Sequence, residues 1–115
     1  MIQTIATIVR SAKIDLSSEK GAQADLAELL TRNGIDFERE YPLSKQDVID
    51  FMVGGLGVEL KLRGARKMDI YRQLKRYASH PRVESLALIS NQSMGLPEQL
   101  EGKDVYFLKL GEGWI

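Results

Sequence analysis

No cysteine occurs among the 115 residues, which excludes a disulfide framework and a thiolate metal site. No apolar run approaches the roughly 18 residues that a membrane-spanning helix needs. The first ten residues, Met1 to Arg10, carry no basic leader ahead of their apolar positions. A secretory signal is therefore not expected, and a cytoplasmic location is. Internal repeats, low-complexity tracts and linkers are also missing. Net charge is absent too, since 16 Lys and Arg offset 16 Asp and Glu. What remains is an ordinary globular composition, 43% hydrophobic and 28% charged, which argues against disorder. The length suits one domain, residues 1–115, and is short for two. A chain of this size should bury roughly two-thirds of its unfolded surface.

The zero charge conceals a strong asymmetry. Residues 61–82 hold Lys61, Arg63, Arg66, Lys67, Arg72, Lys75, Arg76 and Arg82 against a single acid, Asp69, so that segment carries +7 and the remainder −7. A basic stripe of this kind points to nucleic-acid contact. The plainer reading, a solvated helix face, is preferable on charge alone.

Apolar spacing predicts the elements. Ile2, Ile5, Ala6, Ile8 and Val9 fall near helical spacing over residues 2–12, although their β-branched content also suits a strand. Ser17 or Ser18 caps a second helix with Ala22, Leu26, Leu29 and Leu30 on its apolar stripe, and Asn33-Gly34 stops it. Ile35, Phe37 and Tyr41 alternate with Asp36, Glu38 and Glu40 as in a half-buried strand. Lys45-Gln46-Asp47 makes a turn. Residues 48–53 and 58–62 form a hairpin about Gly54-Gly55-Leu56-Gly57. A helix over 65–79 puts Ile70, Tyr71, Leu74, Tyr77 and Ala78 inside, and His80-Pro81 ends it. Residues 83–90 read as a central strand. A polar loop with one helical turn leads to a last strand over 105–110. The order α-α-β-β-β-α-β-β predicts an α/β fold, a mixed central β-sheet flanked by helices.

The chemistry gathers on the hairpin. Asp50 interrupts the apolar run Val48-Ile49-Asp50-Phe51-Met52-Val53. Glu59 and Lys61 alternate with Val58, Leu60 and Leu62 on the partner strand and so share a face. A two-residue turn at Gly54-Gly55 or Gly55-Leu56 sets Asp50 opposite Glu59 or Lys61 on that face, whereas a three-residue loop turns it away. Two adjacent carboxylates repel unless a cation lies between them, and hard oxygen donors suit Mg²⁺. The plainer alternative is a cross-strand ion pair of little energetic worth. Glu19 starts the seam that continues through Gln23, Leu26 and Leu30, so its carboxylate can point over the sheet; an acid in a first turn is equally explained by the helix dipole. Gln73 and Tyr77 lie four apart on one face of the later helix, flanked by Arg66, Arg72 and Arg76, and Tyr77 also suits plain core. Glu40 fits an exposed position, as does His80 beside Pro81. Trp114 fits a packing or subunit contact.

This ordered set resembles the PD-(D/E)XK nuclease superfamily over roughly residues 17–90. The matching pieces are the helix acid Glu19, the strand acid in Ile49-Asp50, Glu59-Leu60-Lys61, and Gln73-Leu74-Lys75-Arg76-Tyr77, which is similar to the Q-x-x-x-Y motif of the exonuclease-type branch. Ile49 stands where the family's eponymous proline would be. The resemblance implies a restriction-endonuclease-like core, shared by small phage-type, virus-type replication-repair and Holliday-junction nucleases. It implies that Asp50, Glu59 and the Leu60 backbone carbonyl hold Mg²⁺, with Mn²⁺ as substitute, and that Glu19 binds the metal directly or through water. Lys61 would act on the attacking water, and Gln73 and Tyr77 would position the site or the substrate backbone. Arg63, Arg66, Lys67, Arg72, Lys75 and Arg76 would bind nucleic acid, DNA in preference to RNA.

The leading expectation is thus a metal-dependent nuclease with no membrane partner. A single site would need a homo-oligomer or larger nuclease complex to cut both strands. The alternatives are a catalytically inactive nucleic-acid-binding or assembly module on the same fold, and a plain interaction domain whose charges are solvated.

Overall fold

The computed structural model describes residues 1–111; Trp114 lies outside the described residues. Helix α1 (Ile2–Ser11) buries Ile5, Ile8 and Val9, so the 3-4 spacing of the apolar residues prevails over their β-branching. Helix α2 (Glu19–Arg32) starts at Ser18, whose hydroxyl accepts from the Gly21 amide at 3.0 Å. It ends where Gly34 takes φ 70° and Ile35 N donates back to the Leu30 carbonyl, a left-handed stop that glycine makes cheap. Helix α3 (Lys67–Ala78) buries Ile70, Leu74, Tyr77 and Ala78.

Among the described residues, six strands form one sheet: β1 (Glu38–Pro42), β2 (Val48–Val53), β3 (Leu56–Lys61), β4 (Ser85–Ser90), β5 (Gln99–Leu100) and β6 (Lys103–Lys109). Their spatial order is β1-β2-β3-β4-β6-β5. The first three strands are antiparallel neighbours, β3-β4 and β4-β6 run parallel, and β5 pairs antiparallel with β6. The expected helical turn before the last strand is replaced by β5. There Glu101 and Gly102 both adopt positive φ, 51° and 75°, the condition for a tight two-residue hairpin turn.

The sheet separates two apolar cores. Residues of α1 and α2 pack with Phe51, Val53, Val58, Leu60 and Ile89 on one side. Ile70, Leu74 and Tyr77 of α3 pack with Ile49, Met52, Leu86 and Leu88 on the other. The described residues form a compact α/β domain with a mixed six-stranded sheet and three helices, 35 × 29 × 24 Å in extent. Among the described residues no helix is long and apolar enough to cross a membrane.

Candidate active site at the open end of the β2-β3 hairpin

The hairpin turns at Gly54-Gly55, and its register pairs Val53 with Leu56, Met52 with Gly57 and Phe51 with Val58. One step further Asp50 stands opposite Glu59, as a two-residue turn requires. There the backbone ladder gives way to side chains. Asp50 N donates to Glu59 Oε1 at 3.2 Å, and Leu60 N donates to Asp50 Oδ2 at 2.8 Å. Leu62 N donates to Glu19 Oε2 at 3.2 Å. Three amides at the open end are thus each answered by a carboxylate. In a strand the N–H and C=O of one residue face the same edge, so the Leu60 carbonyl also faces β2.

Strict alternation fails at this level. Phe51 and Val53 pack on the side of α2, whereas Ile49 packs with Met52 on the side of α3. The adjacent strand keeps its register but switches faces at the same height: Arg39 lies over the Phe51 ring, Tyr41 packs with the core on the side of α3, and between them Glu40 has φ 48°. A non-glycine residue in that region is uncommon. The shared break frees the Asp50 amide and carboxylate to turn towards β3. Glu40 itself is exposed, as its pattern suggested.

Burial dominates the electrostatics. Glu59 is only 2% exposed. Its carboxyl is pushed up to about 8, first by burial and then by the Asp50 charge, with Lys61 pulling the other way. Asp50 is also raised, again chiefly by burial, against the lowering effect of the Leu60 amide and Lys61. Lys61 Nζ lies 3.3 Å from Glu59 Oε2. Half-buried Glu19 contributes a smaller upward push on Asp50.

Helix α3 supplies the other wall. Lys61, Ala65, Arg66, Asp69, Ile70, Arg72, Gln73 and Arg76 line an open cleft of about 470 Å³. Gln73 and Lys61 therefore share one space, while Arg63, Lys67 and Lys75 are exposed outside that lining. Tyr77 is buried, and its hydroxyl donates to the Val48 carbonyl at 3.0 Å. Burial, followed by the charges of Glu59 and Asp50, raises its phenol so that it keeps its proton. Tyr77 braces β2 from beneath and does not open on the cleft.

Two features escaped the sequence reading. Asp47, in the turn before β2, is 8% exposed and holds Arg76 Nε at 3.2 Å and His80 Nε2 at 3.2 Å. His80, expected at the surface, is half-buried because it fills this contact. Burial pushes Asp47 up, but the His80 and Arg76 hydrogen bonds outweigh it and hold the carboxyl below its ordinary value. Asn91 and Gln92, just after β4, bind the Arg63 and Gly64 amides and so fix the loop into α3. Polar residues flanking a strand end were a signal for such a clamp, but nothing in the sequence named its partners.

Among the described residues no three His, Cys, Asp or Glu side chains are grouped to hold a metal ion. Asp50 and Glu59 form a pair, with Glu19 at the Leu62 amide. Compared with known proteins, the chain matches no family model, no curated protein and no solved structure. The geometry alone carries the functional reading.

Proposed function

We propose that this protein is a metal-dependent nuclease of the PD-(D/E)XK type, with a restriction-endonuclease-like core, that hydrolyses phosphodiester bonds of nucleic acid, DNA in preference to RNA. The observation that carries this reading is the convergence of Asp50, Glu59 and Lys61 where β2 and β3 part, beside a basic cleft. Ion pairs made for stability alone are seldom built this way. Glu59 is buried beside a second carboxylate, which costs stability, and such costs cluster at functional sites.

The donor set fits Mg²⁺ or Mn²⁺. Asp50 and Glu59 are hard oxygen donors, both raised chiefly by burial and Glu59 also by the Asp50 charge, and Mg²⁺ is commonly held by one or two carboxylates with several waters retained. Those two side chains would hold the ion, with the Leu60 carbonyl on the same edge of β3. When bound, it would neutralise charge on a phosphate oxygen and lower the pKa of a bound water. Lys61, between Glu59 and the cleft, supplies a donor for the attacking water or for charge developing on the phosphate. Gln73 faces that cleft as a hydrogen-bonding group for the substrate backbone. Tyr77 fixes β2 through Val48 and so positions Asp50. Glu19 pins the end of β3 through the Leu62 amide.

A second reading, a binding or assembly module without turnover, is favoured by one observation. The oxygens of Asp50 and Glu59 already meet the Leu60 amide, the Asp50 amide and Lys61, so the network is self-satisfied. A cleavage assay in Mg²⁺ or Mn²⁺ over linear, circular, single-stranded and branched DNA separates the two. Metal-dependent cleavage that disappears in Asp50→Asn supports the nuclease. Binding without cleavage on every substrate supports the module.

A further inference from the structure

Arg76 differs from the other cations that line the cleft. Arg72 pairs loosely with Asp69 at 3.5 Å within its own helix, both side chains being more than 60% exposed. Arg76 is instead tied to a different element: its Nε meets Oδ1 of the buried Asp47 at 3.2 Å, while 56% of its side chain remains exposed and lines the cleft shared with Lys61 and Gln73. The Asp47 carboxylate is itself fixed from its other oxygen by His80. The Asp47 backbone is fixed too, because its carbonyl accepts from Leu43 N at 2.8 Å and Ser44 N at 3.2 Å, and its amide donates to Ser44 Oγ at 3.1 Å. A guanidinium held at Nε by a rigid acceptor has its two terminal nitrogens left in a fixed fork, the arrangement that receives two oxygens of one phosphate.

We propose that Arg76 grips a backbone phosphate adjoining the one presented to Lys61, and that Asp47 is the positioning residue that aims it. The inference rests on the nucleic-acid reading of the cleft and deepens it. It sets Arg76, held by a second element, apart from Arg72, which pairs only within its own helix. Asp47 also explains itself by this role. A buried carboxylate beside a polyanion site repels the ligand, and orienting Arg76 is the gain that offsets the repulsion.

The sign of one substitution decides the matter. Binding of fluorescent single- and double-stranded DNA oligonucleotides is measured by anisotropy in EDTA, at several salt concentrations, so that no turnover enters. Arg76→Gln, at an exposed position, should weaken binding about tenfold, the loss expected for a charged bidentate contact, and reduce the salt slope by about one. Arg76→Lys keeps the charge, so its slope should stay, but the fork is lost and affinity should fall. Asp47→Asn removes a negative charge near the ligand. Simple electrostatics makes it bind more tightly, whereas an aiming role makes it bind about threefold more weakly at an unchanged slope.

Tighter binding by Asp47→Asn overturns the positioning role. Wild-type binding by Arg76→Gln overturns the whole inference, and it does so even if Asp47→Asn fails to fold. Either result leaves the nuclease reading intact if the wild type binds and cleaves. A wild type that neither binds nor cleaves DNA removes both.

Discussion

The two ends of the β2-β3 hairpin are made from the same two strands and obey opposite rules. At the turn end, Phe51, Val53, Leu56 and Val58 are almost fully buried and joined by a regular ladder. From the next pair onwards, Asp50, Glu59 and Lys61 replace that ladder with side-chain contacts, and the buried Glu59 carboxyl has its pKa pushed up to about 8. The turn end gains stability from burial. The open end gives some of it back, because desolvating two neighbouring acids is unfavourable. A short apolar hairpin is therefore what makes a strained acid pair tolerable a few ångströms further on.

Substitutions at the two ends should separate activity from stability. The largest effect is expected at the acids: Asp50→Asn or Glu59→Gln should reduce cleavage to background in a metal-dependent assay while the fold persists by circular dichroism. Phe51→Ala should do the reverse. It should cost about 3–5 kcal/mol of unfolding free energy in urea, the usual range for a buried aromatic, with the specific activity of the folded fraction retained. Lys61→Ala leaves both carboxylates in place. Cleavage should fall by about a hundredfold or more, as for loss of comparable charge-stabilising donors, with oligonucleotide binding near normal. A mere ion-pair partner would instead cost about 1 kcal/mol or less and leave activity alone.

Proton linkage sharpens the same contrast. Glu59 binds its proton more tightly folded, at about 8, than at its ordinary 4.5. Between those values the native state holds a proton that the unfolded state has released, so stability is greatest below 4.5 and falls as pH rises towards 8. Thermal midpoints in EDTA should show this decline, and Glu59→Gln should shrink it. Asp47 acts in the opposite sense. Its lowered carboxyl adds stability above its ordinary 3.8 that is lost as pH drops below that value. The smallest effect is expected from the exposed pair Arg66 and Lys67. Replacing both with alanine should flatten the salt dependence of binding by about two charges, alike for all sequences. An unchanged slope would assign them to a solvated face.

The register was legible because Gly54-Gly55 allows a two-residue turn, and that turn alone brings Asp50 to the level of Glu59. Glu19 was legible as the first residue of a buried seam. The phase break at Glu40 and Asp50 was not, since nothing in a Glu-Arg-Glu-Tyr stretch announces a left-handed glutamate. Asp47 was hidden for another reason. Its partners lie 29 and 33 positions away, and local periodicity says nothing about contacts at that distance. Strand β5 was too short, at two residues, to show any period. The general lesson is physical: apolar spacing encodes where a chain is regular, whereas a site of this kind is built where regularity stops.

The order β4-β6-β5 has a consequence for how the molecule is made. Strand β6 is the last of the described strands, yet it lies inside the sheet, against β4. Until residues 103–109 have been synthesised, β4 presents one open edge along Leu86 to Ser90, every residue of which is buried in the finished fold. A released chain truncated near residue 102 therefore exposes an apolar, unpaired strand, the kind of surface that recruits neighbouring chains or chaperones. Truncation before β6 should send this protein into aggregates even though the hairpin that carries Asp50, Glu59 and Lys61 is already complete.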